Sequence, residues 1–90
     1  MELNKVEMYI LYRFVVRRSF CKNHIPETDL KKNIVPFKAT PQEFSESIKN
    51  LRNSGFLNPI RKKEMEYCLF PKKITEVKQF LSKFLGITLE

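Results

Sequence analysis

The stretch TPQEFSESIKNLRNSGFL, Thr40 to Leu57, decides how the rest of the chain is read. Thr40 stands where an N-cap belongs, Pro41 suits a first helical position, and Glu43 completes a T-x-x-E capping box. Phe44, Ile48 and Leu51 recur at i, i+4 and i+7, the spacing of one buried helix face. Gly55 offers the left-handed residue that ends a helix. The spacing therefore predicts a helix over 41–54. At 100° per residue, its opposite side carries Gln42, Glu46, Lys49, Asn50 and Asn53, with Ser45 and Arg52 on a flank. That outer side is polar and rich in amides and cations.

Upstream, LNKVEMYILYRFVVRRS (Leu3 to Ser19) has neither glycine nor proline and is too long for a strand in a small domain. It reads as a helix over 3–19 with two apolar stripes. One is Leu3, Val6, Ile10 and Phe14; the other is Met8, Leu11, Tyr12 and Val15. Pro26, Glu27, Thr28 and Asp29 make a helix first turn, so a short helix is expected over 26–33, with Leu30 and Ile34 apolar. Pro36 should stop it.

Downstream, FLNPIRKKEMEYCLF reads as a β-hairpin over 56–70, with Arg61, Lys62 and Lys63 at its tip and Pro59 on an edge strand. Met65, Tyr67 and Leu69 alternate with Glu66, Cys68 and Phe70. Pro71 ends the hairpin. A last helix over 74–85 places Ile74, Val77, Phe80, Leu81, Phe84 and Leu85 on one wide face, and Gly86 stops it. Leu89–Glu90 resembles an expression scar and carries no weight.

The chain has 90 residues, enough for one small domain, and 42% of them are hydrophobic. No apolar run is long enough to span a membrane, and the start reads unlike a secretory leader. Cys21 and Cys68 fit no zinc spacing and are read as reduced, buried thiols, which implies a cytoplasmic protein. The alternative, a redox-sensing thiol, requires exposure. The net charge of +7 favours an anionic partner.

Catalysis finds little support. His24 is the single histidine and Asp29 the single aspartate. The two glycines both end helices, so no phosphate-cradling loop is available. No metal site and no cofactor are expected.

The order helix, helix, turn, helix, hairpin, helix resembles the winged helix-turn-helix domains, and FSESIKNLRNSGFLNPI carries most of that likeness. A helix ending in Leu-x-x-x-Gly-Phe-Leu and running into a basic hairpin is similar to bacterial and archaeal transcription regulators of the MarR, ArsR and PadR kind. The chain departs from them in lacking a small residue early in the second helix and in having LFPKKI after the hairpin. The resemblance implies a mainly α fold with a small β-hairpin and a DNA-binding transcription regulator. Gln42, Glu46, Lys49, Asn50 and Asn53 would meet bases in the major groove. Lys38, Ser45, Arg52, Arg61, Lys62 and Lys63 would meet phosphates. Some winged helices bind protein instead, and Glu43 and Glu46 would suit that role. The two apolar stripes look too broad for so small a core. A homodimer through Met8, Leu11, Tyr12, Val15, Phe80 and Phe84 is therefore expected.

Overall fold

The structure is a computed structural model and describes residues 3–35 and 37–86. Pro36 and Leu89–Glu90 lie outside the described residues. The described residues form four α-helices and a small antiparallel sheet. In chain order these are α1 (Lys5–Val16), β1 (Ile25–Pro26), α2 (Glu27–Ile34), α3 (Pro41–Asn53), β2 (Leu57–Arg61), β3 (Met65–Leu69) and α4 (Ile74–Leu85). A 3-10 turn over Pro71–Lys73 leads into α4.

α3 forms as its sequence dictates. The Thr40 hydroxyl accepts from the Glu43 N–H at 3.1 Å, and the Glu43 carboxylate accepts from the Thr40 N–H at 3.0 Å. Phe44, Ser47, Ile48 and Leu51 are buried. Gly55 takes φ +81°, a conformation in which a side chain would be strained. α1 is shorter than expected, because a second capping box fixes its start: Asn4 and Glu7 exchange side-chain to backbone hydrogen bonds, both 2.8 Å. Its far end unwinds at Arg17, and Arg18 follows at φ +52°. α2 begins one residue late, with Pro26 as its N-cap.

The core joins Ile10, Leu11 and Phe14 of α1, Leu30 and Ile34 of α2, Phe44, Ile48 and Leu51 of α3, and Val77 and Leu81 of α4. Phe56, Leu57, Tyr67 and Leu69 close it from the hairpin side. Leu11 is completely covered by its own chain and cannot serve a subunit interface as expected. Met8, Tyr12, Val15 and Phe80 are half-buried and pack against the core. Phe84 meets Tyr9 edge to face, with ring centroids 5.4 Å apart. The apolar stripes are thus largely satisfied within one chain, because α1 and α4 pack on each other.

The sheet has one strand more than the expected hairpin. Its order is β1-β3-β2, with Ile25 opposite Tyr67 and Pro59 also opposite Tyr67 from the other side. Each edge strand carries a proline. The turn between β2 and β3 is Lys62–Glu64.

The cysteines correct the reading of two free thiols. Cys21 and Cys68 are joined by a disulfide across 47 residues of chain. The bond pins the 17–24 loop to β3, and the Leu69 N–H donates to the Ser19 carbonyl at 2.9 Å beside it. The loop covers the Cys68 side of β3, so Tyr67, Cys68 and Leu69 are all buried in succession. The argument for a cytoplasmic protein from reduced thiols therefore falls away. Among the described residues, no helix is long and apolar enough to cross a membrane.

Candidate nucleic-acid interface

With Phe44, Ile48 and Leu51 sealed in the core, the opposite side of α3 is left to solvent. Gln42, Glu46, Lys49 and Asn53 follow one another at i, i+4, i+7 and i+11, and all four are exposed. They form a straight ridge along the helix. The Gln42 amide donates to the Glu46 carboxylate at 3.3 Å. Among the described residues Lys49 makes no ion pair, and it stands exposed in the middle of the ridge. Ser45 is exposed beside it.

Two residues assigned to the same face lie apart from the ridge. Asn50 turns toward the start of α1 and lines a groove of about 290 Å³ with Asn4, Lys5, Glu43 and Glu46. Arg52 turns toward the sheet, its guanidinium 6.0 Å from the centre of the Tyr67 ring. Neither displacement could be read from helical spacing, because the neighbours that define each flank are distant in sequence. Lys38 is exposed, and its ammonium sits 4.7 Å over the Tyr9 ring.

The hairpin turn presents Arg61, Lys62 and Lys63 to solvent. Its conformation is held from behind. Glu64 accepts from the Thr28 hydroxyl of α2 at 3.0 Å. The Lys62 ammonium lies 3.9 Å from Glu66, which also pairs with His24 at 3.5 Å. His24 therefore has a partner that the sequence did not suggest. Arg61 and Lys63 make no ion pair among the described residues. α3 passes through Gly55 directly into β2, against which it packs, so ridge and hairpin share one continuous scaffold.

A group missed in the sequence sits where these elements meet. The Tyr67 hydroxyl donates to Glu27 of α2 at 3.1 Å, while Arg52 of α3 lies over its ring. Burial, and then the negative charge of Glu27, push the Tyr67 pKa up to about 12, against a smaller lowering effect from Arg52. The neutral phenol is thus the form the fold retains. As pH rises from 10 toward 12 the unfolded chain loses this proton first, so the folded state loses stability across that window. Tyr67→Phe should flatten the decline, seen as a weaker dependence of urea midpoint on pH above 10. An unchanged slope would disprove the assignment.

Among the described residues, no group of three or more metal-ligating side chains comes together. No protein-family model and no curated protein matches this sequence.

Proposed function

We propose that the chain is a winged helix-turn-helix domain that binds double-stranded DNA, laying α3 in the major groove and setting the hairpin turn on the backbone. The observation that carries this reading is the exposed ridge of Gln42, Glu46, Lys49 and Asn53 on a helix whose other side is sealed in the core. A helix of this diameter fits the major groove. Gln42 and Asn53 carry both a donor and an acceptor, as the adenine edge requires, Lys49 matches guanine acceptors, and Glu46 can accept from cytosine N4. Arg61 and Lys63 supply phosphate contacts that set affinity without reading sequence. The net charge of +7 adds general attraction to the duplex. Arg52 lies toward the Tyr67 ring and stands outside the direct contact set, while Asn50, exposed beside the ridge, remains a candidate contact.

Fluorescence anisotropy of a labelled duplex tests the reading. With about six phosphates neutralised, affinity should fall by roughly three orders of magnitude between about 50 and 200 mM salt. Lys63→Ala should weaken every sequence alike and reduce the salt slope by about one. Lys49→Ala should instead cost about 1–3 kcal/mol at a preferred site and little elsewhere. Absence of any duplex binding at the lower salt would remove the proposal.

A second reading has its own support. Glu46 sits within the ridge and Glu43 beside the adjoining groove, where carboxylates oppose a phosphate backbone, and Phe37 on the turn before α3 is 83% exposed. A protein-binding role for this side would use that aromatic anchor. Recovery of a protein partner at salt that abolishes DNA binding, lost in Phe37→Ala, would favour it.

A further inference from the structure

The 17–24 loop carries two residues in an unfavourable backbone region and is anchored by one covalent bond. Arg18 and Cys21 both lie at positive φ, +52° and +68°, a region that residues with side chains rarely adopt. Cys21 is joined to Cys68, which is completely buried in β3, while Cys21 itself is half-exposed. Four residues beyond Cys21 the chain forms β1, a strand of only two residues, and passes at once into α2. So short a strand has little pairing of its own to hold it. The groups that position the proposed interface hang from this junction: Glu27 holds Tyr67, Tyr67 underlies Arg52, and Thr28 holds Glu64 at the hairpin turn.

We propose that the Cys21–Cys68 bond is a reducible clasp that locks β1 and α2 to the hairpin, and that its reduction lowers DNA affinity. The effect on affinity rests on the DNA-binding reading above; the clasp itself does not. The reductant is a dithiol. Its thiolate attacks Cys21 Sγ, on the less buried of the two cysteines, forming a mixed disulfide and expelling Cys68 as a thiolate that takes up a proton. The second thiol of the reductant then attacks its own sulfur in the mixed disulfide and releases Cys21, which is protonated in turn. The protein gains two electrons and two protons, and the dithiol becomes a cyclic disulfide. Freed, Cys21 can relax to negative φ, and the loop is left with the Leu69–Ser19 hydrogen bond and the His24–Glu66 contact as its ties to β3.

Two measurements on the full chain test this, with dithiothreitol as the dithiol and Cys21→Ser as a form that cannot close. On reduction, amide hydrogen exchange should quicken more at Ile25 and along α2 than in α1 and α4, which lose only the protection that the fall in global stability removes. Cys21→Ser should behave as the reduced protein with or without dithiothreitol. Duplex affinity should fall about tenfold on reduction and return on reoxidation. Equal protection at Ile25 and α2 in both redox states would overturn the clasp, as would a loss there no larger than the loss in α1 and α4, which marks a general staple. Local loosening with unchanged affinity would overturn its coupling to the interface. If neither redox state binds DNA, the functional reading fails, and exchange at Ile25 and α2 still decides the clasp.

Discussion

Phe14→Ala should cost the domain about 3–5 kcal/mol of stability. Phe14 is completely buried in α1, within the cluster that joins all four helices and the sheet. Deleting such a ring removes its transfer free energy and leaves a cavity, a loss of about 3–5 kcal/mol. A domain of this length has about 5–13 kcal/mol to lose, so the variant keeps between about 0 and 10 kcal/mol. Val16, two residues on and 52% exposed, provides the contrast. Val16→Ala should change stability by no more than about 0.5 kcal/mol. Urea unfolding followed by circular dichroism checks both. A Phe14→Ala loss below about 1 kcal/mol would mean that the core is not assembled as described.

Opening the disulfide should have the next largest effect on stability. The bond closes a loop of 47 residues, and restricting the unfolded chain to that extent is worth about 4 kcal/mol on chain entropy alone. For a domain of this size that corresponds to a fall in Tm of more than about 15 °C. Cys21→Ser is the cleaner variant, because Cys21 is half-exposed and a hydroxyl there need not be buried. Cys68→Ala should cost at least as much, since it also leaves a gap under β3. Thermal unfolding with and without dithiothreitol gives the comparison. A wild-type midpoint that dithiothreitol leaves in place would show the bond to be energetically idle.

Some elements were legible because their punctuation is local. Thr40, Glu43 and Gly55 bracket α3, and Gly86 ends α4 at φ +69°, so both helices fall where spacing and caps put them to within a residue. α1 was drawn too long because the Asn4–Glu7 box, which uses the same signal as Thr40–Glu43, was not read as a start. β1 could not be read at all. Two residues hold no alternation, and the pairing of Ile25 with Tyr67 spans more than forty positions. The same distance hid the disulfide, since no spacing rule says which face of β3 the 17–24 loop will cover. Of the expected contact residues, the ridge followed from helical geometry. What spacing does not give is the tertiary neighbour that a side chain outside the ridge meets, here the Tyr67 ring for Arg52 and the Tyr9 ring for Lys38.

Pro26 and Pro59 have a consequence for how copies of this protein meet. Each lies on an outer strand of the three-stranded sheet, and each removes one amide donor from a rim that would otherwise template a fourth strand. Growth of the sheet by recruitment from a neighbour is therefore discouraged on both sides. Any self-association is steered to helical surfaces, and fibril-like stacking is opposed by the covalent chemistry of two ring nitrogens.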